Sequence, residues 1–318
     1  MPEDHGIIID DVKGKTDSVS AGELLAALAP VLDLEALHGR QGMENQIRSP
    51  RVQKLGMILA GFSGCIHLDR VHIFGSSEMH FLRTLEPEGR TAAIHRLKNN
   101  KICCIVVTKG LEIPEELLRV SSEEAIPVFR SASLSSMCIA RISSYLEERL
   151  APRMTIHGVL LEVFGLGVLI LGPSGIGKSE CALELIVKGH RLITDDYVEI
   201  TRHGIDRLSG TGGKVLKHHI ELRGLGIIDI RELFGVSATG GRQNIDFAVR
   251  LERWKPDAEY DRLGLDPSTI EFLGINIPVI EMPVGPGRNI ATLVEVAARI
   301  QLLRQRGHNP SRITSETD

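Results

Sequence analysis

The sequence predicts an α/β protein of two domains: an N-terminal α/β domain over residues 1–150 and a C-terminal P-loop-containing domain over 151–318. Three observations lead there. Short apolar runs alternate with helical patterns along the first half. A helix-like stretch is broken at "APR", residues 151–153. In the second half a glycine-rich loop sits between an apolar strand and an amphipathic helix. The 318 residues suit two domains of roughly 100–200 residues each.

In the first half, "AGELLAALAPVLDLEAL" (21–37) has helical apolar spacing, while "RVHIFG" and "KICCIVVTKG" read as strands closed by glycine. "PEELLRVSSEEA" reads as a helix with Pro114 in its first turn, "IPVFRSA" as a strand, and "SSMCIARISSYLEERL" as the helix ending the domain. The second half opens on two strands, "MTIHGVLLEVFG" and "LGVLILG", around a tight turn at Gly165–Gly167. The loop and its helix follow, then "RLITDDYVEITRHG" and "HHIELRGLGIIDIRELFG"; "SATGGRQN" is expected to be a mobile loop. A last helix carries a stripe of Ile290, Leu293, Ala297 and Ile300 and stops at Gly307, and the polar tail "HNPSRITSETD" is expected to be disordered.

Composition narrows the function classes. A formal net charge of -4, from 37 basic and 41 acidic residues, gives no electrostatic case for nucleic acid, and 4% aromatics leaves few stacking platforms. No apolar run approaches the roughly 18 residues of a membrane span. The acidic start "MPEDHGIIIDDVKGK" lacks signal-peptide regions, so a cytoplasmic protein is expected. Cys65, Cys103, Cys104, Cys138 and Cys181 show no metal-ligand spacing, and Cys103–Cys104 reads as part of a buried strand.

The chemistry starts at "GPSGIGKS", residues 172–179, which fits G-x-x-x-x-G-K-[ST] completely. The expected nucleotide-binding residues are Gly172, Pro173, Ser174, Gly175, Ile176, Gly177, Lys178 and Ser179. The glycines let backbone N–H groups face phosphate oxygens, the helix N-terminus adds partial positive charge, Lys178 reaches the outer phosphates and Ser179 ligates Mg²⁺. Magnesium needs a further carboxylate. On pattern alone the Asp195–Asp196 pair, after the apolar "RLIT", takes that role, and Glu221 is an ordinary strand residue. Pattern alone therefore reaches a nucleotide kinase or NTPase and does not choose.

The ordered set "MTIHGV", "GPSGIGKSE", "HRLITDD", "IELRGLGIID", "YDRLGLD" and "PVGPGRN" resembles the bacterial HPr kinase/phosphorylase family. The likeness extends through "SPRVQKLGMILAGF", "VTKGLEIPEELL" and "YLEERLAP" and covers nearly the whole chain. The resemblance implies an enzyme that phosphorylates a serine of the phosphocarrier protein HPr with ATP or pyrophosphate. It implies the reverse by phosphorolysis as well, a homohexamer, and a catalytic domain related to phosphoenolpyruvate carboxykinase. By the same resemblance Asp196 is proton acceptor and donor, Glu221 with Ser179 holds Mg²⁺, and His157, Lys178 and Arg262 are catalytic. It makes Ile220, Glu221, Leu222, Arg223, Gly224, Leu225, Gly226, Ile227, Ile228 and Asp229 a catalytic region. Pro283, Val284, Gly285, Pro286, Gly287 and Arg288 form a loop used chiefly in dephosphorylation. Pro173 departs from the acidic residue common in the family. A small-metabolite kinase and a non-catalytic nucleotide sensor are the competing readings.

Overall fold

The computed structural model describes residues 18–62, 64, 67–98, 100–213, 218–254 and 268–308. Cys65, the "YDRLGLD" motif with Arg262, the acidic start and all but the first residue of the polar tail lie outside them. The chain divides between Ala151 and Pro152 into two compact units.

The first unit runs β1 (Val19–Ser20), α1 (Ala21–Leu32), β2 (Glu35–His38), β3 (Gln46–Ile47), β4 (Val52–Lys54), α2 (Gly56–Leu59), β5 (Val71–Phe74), α3 (Ser76–Arg83), α4 (Pro87–His95), β6 (Cys104–Val107), α5 (Glu115–Glu123), β7 (Val128–Arg130) and α6 (Ser135–Arg149). A capping box starts α1: Glu23 N–H donates to Ser20 Oγ at 3.1 Å, and Ser20 N–H donates to the Glu23 carboxylate at 2.8 Å. The helix expected over 21–37 stops at Leu32, because Asp33 turns left-handed at φ 54 and residues 35–38 then pair with β7. Pro114 caps α5 from just outside rather than from within its first turn.

A five-stranded sheet of order β2-β7-β6-β5-β4 organises this unit, with β4, β5, β6 and β7 parallel and β2 an antiparallel edge. Helices cover both faces, so the central strands are buried throughout and read as unbroken apolar runs. Val71, Ile73, Cys104 and Val106 pack with α1 and α6 on one face. Phe74, Ile105 and Val107 pack with α2, α3, α4 and α5 on the other. Cys103 and Cys104 are buried and free, and burial pushes the Cys103 thiol up to about 11, as befits small core residues.

The second unit runs β8 (Arg153–His157), β9 (Val159–Val163), β10 (Leu166–Leu171), α7 (Lys178–Val187), β11 (Arg191–Thr194), β12 (Tyr197–His203), β13 (Arg207–Gly212), β14 (His219–Leu222), β15 (Gly226–Asp229), α8 (Ile230–Phe234), β16 (Arg242–Asn244), β17 (Phe247–Arg253), β18 (Ser268–Phe272), β19 (Ile275–Val284) and α9 (Ile290–Gln305). Its main sheet has the order β11-β9-β10-β17-β19-β18, and a second has β16-β13-β12-β8. β10, β17 and β19 are parallel neighbours, so the segments after Leu171, Arg253 and Val284 leave from the same edge. That edge is where open α/β sheets place their ligands.

Three expectations are corrected here. The hairpin turn is Phe164–Gly165, at φ 51 and 87, whereas Gly167 lies inside β10. A Cβ on Gly167 would stand 1.6 Å from the Asn244 carbonyl oxygen, so close strand approach is what demands glycine there. "SATGGRQN" is tied down: Thr239 bridges Leu192, its carbonyl accepts from the Arg191 guanidinium at 2.9 Å, and residues 242–244 pair with β13. The most buried face of α9 is Ala291, Val294, Ala298 and Gln301 together with Ala297, while Ile290 and Leu293 pack at its margin. Gly307, at φ 81, does follow the helix end. Among the described residues, no helix is long and apolar enough to cross a membrane.

His72 in β5 is 0% exposed. Burial lowers its pKa from 6.5 to about 4. Between those values the unfolded chain binds more protons than the folded one, so stability rises with pH across the window and is lost as pH falls. Thermal unfolding at pH 7 and pH 5 should cost the native chain about 2 kcal/mol more on acidification than a His72→Leu variant. Equal pH dependence of the two would remove His72 as the source.

Candidate active site

The strand β10 delivers the chain into the glycine-rich loop, and α7 begins at Lys178. Gly172 and Gly175 adopt φ 147 and 75, conformations that L side chains rarely take. A Cβ on Gly172 would lie 2.7 Å from the Leu251 carbonyl, and one on Gly175 would lie 2.4 Å from the Arg223 guanidinium. The loop is therefore pressed between β17 beneath and the β14–β15 turn above. Pro173 supplies no N–H, yet its carbonyl accepts from Ile176 N–H and from the Lys178 ammonium, both at 3.3 Å. Lys178 also donates to Gly172 O at 2.9 Å, and its burial lowers its pKa.

Ser179, on the first turn of α7, donates to the Asp195 carboxylate at 3.0–3.1 Å. The same carboxylate accepts from Glu221 N–H at 3.2 Å. Burial raises the Asp195 pKa, while the bonds from Glu221 N–H and Ser179 oppose that rise. One carboxylate thus joins the phosphate-loop helix, the end of β11 and the β14–β15 hairpin.

Asp196 faces a different neighbour. It has φ 72, in the left-handed region, and its carbonyl accepts from Gly158 N–H at 2.9 Å. Antiparallel pairing of β8 with β12 sets Tyr197 opposite His157, which brings His157 Nδ1 to 3.0 Å from Asp196 Oδ1. The rings of His157 and Tyr197 meet edge to face. Strain of this kind in a non-glycine residue persists where the surroundings fix it, and it concentrates at functional sites.

A single cavity of about 180 Å³ is lined by His157, Ser174, Gly175, Gly177, Lys178, Ser179, Glu180, Asp195, Asp196, Glu221 and Arg223. Residues up to 66 positions apart in sequence thus share one space. Within the 220–229 segment the division of labour is uneven. Glu221 and Arg223 reach the cavity, Ile220 and Leu222 anchor the hairpin in the core, and Leu225 and Ile227 are exposed. Asp229 caps α8, accepting from Arg231 and Glu232 N–H.

Of the residues 283–288 expected as a loop, Pro283 and Val284 end β19, paired with Glu252 and Arg253, and only 285–288 leave the sheet, on the same edge as the glycine-rich loop and outside the lining of the cavity. Arg288 donates to the Pro283 carbonyl at 3.2 Å, and its guanidinium lies 5.5 Å from the centre of the Trp254 ring. Sequence reasoning did not single out Trp254 or Glu180. It took Asp195 and Asp196 as a pair, and Asp195 is the one in contact with Ser179. The adjacent Asp pair at a strand end was the available signal.

Comparison with known proteins then places the chain. Residues 148–317 match the model of the HPr Serine kinase C-terminal domain, and residues 19–146 match that of the HPr Serine kinase N terminus. The chain belongs to the HPr serine kinase family. It is 42% identical over 295 residues to the HPr kinase/phosphorylase of Geobacter sulfurreducens, spanning 93% of this chain and 92% of the relative. It is 44% identical over 264 residues to that of Lachnoclostridium phytofermentans, spanning 83% and 85%. A solved structure of the Hpr(Ser) kinase/phosphatase from Coxiella burnetii is 35% identical, covers 48% of this chain and 93% of its own, and has a TM-score of 0.45.

Gly172→Ala should lower stability by about 1–3 kcal/mol, since the new methyl must displace backbone rather than a flexible side chain. It should also weaken ATP binding. Chemical unfolding and calorimetric titration of ATP check both effects. An unchanged affinity would show that the loop tolerates a shifted Gly172.

Proposed function

We propose that this chain is a bifunctional HPr kinase/phosphorylase, transferring a phosphoryl group from ATP or pyrophosphate to a serine of HPr and removing it by phosphorolysis. One observation carries the reading. A complete phosphate loop shares a cavity with two carboxylates of distinct environment, Asp195 and Asp196, in a chain matching both domains of the family.

Phosphoryl transfer needs in-line positioning and neutralised charge more than covalent help. Backbone N–H groups of residues 172–179 and the start of α7 receive the donor phosphates, and Lys178 turns from the Gly172 and Pro173 carbonyls to them. Ser179, Asp195 and Glu221 suit Mg²⁺, a hard cation that takes one or two carboxylates and leaves its other positions to water and phosphate. Bound there, the ion would supply charge neutralisation on the phosphates.

Asp196, turned away from Ser179, accepts the seryl proton as the serine oxygen attacks phosphorus. His157 at 3.0 Å fixes the orientation of its carboxylate. In phosphorolysis an oxygen of inorganic phosphate attacks the seryl phosphate, the bond from phosphorus to the serine oxygen breaks, and Asp196 returns the proton to that oxygen. The products are free serine and pyrophosphate. Arg223, resting on Gly175, adds a cation beside the loop, and Arg288 with the 283–288 segment serves the phosphorolytic direction from the same sheet edge. Arg262 belongs to the proposal on the motif alone. The family likeness further suggests a homohexamer and a catalytic domain akin to phosphoenolpyruvate carboxykinase. Sedimentation velocity of the purified chain tests the former.

Incubation with HPr, Mg²⁺ and ATP or pyrophosphate should yield phosphoserine, and added phosphate should reverse it with release of pyrophosphate. Unmodified HPr with both donors would overturn the reading. Asp196→Asn should slow both directions by about 10²–10⁴ with ATP affinity retained. Asp195→Asn should instead raise the Mg²⁺ concentration needed for half-maximal rate.

A further inference from the structure

The N-terminal unit holds a cavity that the proposed chemistry does not use. Its volume is about 270 Å³, and it is lined by Lys54, Ser76, Ser77, Lys109, Leu134, Ser135 and Ser136. These residues come from four separate places in the chain, and the sheet explains why they meet. Lys54 ends β4, Ser76 and Ser77 follow β5, Lys109 follows β6, and Leu134–Ser136 follow β7. The four strands are parallel and adjacent, so each contributes one piece from its carboxyl end. Open α/β sheets bind ligands at that end.

The lining is cationic and rich in donors. It includes two ammonium groups and four hydroxyls and no carboxylate. Among the described residues, the side chains of Lys54 and Lys109 pair with no acid. Glu78 lies close by but is turned inward and 2% exposed, accepting from Gly75 N–H at 2.9 Å and Ser77 Oγ at 3.0 Å. Ser135 Oγ is fixed at 2.6 Å from Thr108 Oγ1. Gly75 allows the starts of α3 and α6 to approach, since a Cβ there would lie 2.9 Å from Ser135 Oγ. Neither helix has a side-chain N-cap hydrogen bond, and the first residues of both line the cavity, adding backbone N–H donors to those of the side chains.

We propose that this cavity binds a phosphate group, either free phosphate or the phosphate of a small phosphomonoester, between Lys54 and Lys109. The Ser76 and Ser136 hydroxyls and the first-turn N–H groups of α3 and α6 donate to its oxygens. This site is separate from the one containing Lys178, and the inference does not rest on the reading of that site.

Hydrogen exchange of the full-length chain, followed by mass spectrometry, tests it with inorganic phosphate and glycerol 3-phosphate as probes and chloride as control. Both probes reach the phosphate loop too, so local protection is the readout. Slower exchange should appear at Ser76–Ser77 and Ser135–Ser136, persist in Lys178→Ala, and disappear in the double variant Lys54→Gln, Lys109→Gln. Each lysine substituted alone should weaken the effect by about tenfold. Stronger protection by glycerol 3-phosphate would identify a phosphomonoester as the occupant, and equal protection would identify the free anion. Unchanged exchange at both segments, or protection that survives the double substitution in a chain with native melting behaviour, would overturn the proposal.

Discussion

The catalytic unit depends on the contact between Ser179 and Asp195. Through it a buried carboxylate at the end of β11 holds the first turn of α7, and through Glu221 N–H it also holds the β14–β15 hairpin. Three segments that are remote in sequence therefore close around one space. Burying a carboxylate costs several kcal/mol when it is unpaired, and charge-assisted hydrogen bonds of about 1.5–3 kcal/mol each offset that cost only when all are made. The arrangement is thus cooperative: loosening one segment raises the cost of the charge for the other two.

The adjacent acids meet different neighbours because of backbone geometry. Asp195 is buried against Ser179, and Asp196, in a left-handed conformation, holds its carboxylate beside His157. Two carboxylates with separate neighbours can take separate roles, one toward a cation and one toward a proton. The pairing of β8 with β12 is what makes this possible, since it sets His157 against the start of β12.

The two units solve the same packing problem in related ways. Each has parallel strands whose carboxyl ends carry loops and helix starts on one edge. In the second unit that edge bears a glycine-rich loop with one lysine, and in the first it bears serines with two lysines. Parallel sheets direct helix N-termini to that side, so donors of positive partial charge accumulate there.

Much of this was legible from local chemistry. The glycine-rich loop, its flanking strand and helix, the helix from Ser135 and the strands β5, β6 and β7 are fixed by spacing, glycine conformations and apolar runs, all of which act within a few residues. What lies across strands was not legible. The turn at Phe164–Gly165, the strand in "SATGGRQN", the end of α1 at Leu32 and the face of α9 all depend on which partner each segment meets. The choice between Asp195 and Asp196 was of that kind as well. Sequence alone determined that a glycine-rich loop joins a strand to a helix and that two adjacent acids follow another strand. Only the tertiary structure decided which acid touches Ser179 and which faces His157, because the direction of a side chain is set by strand register and backbone dihedrals that neighbouring residues do not encode by themselves.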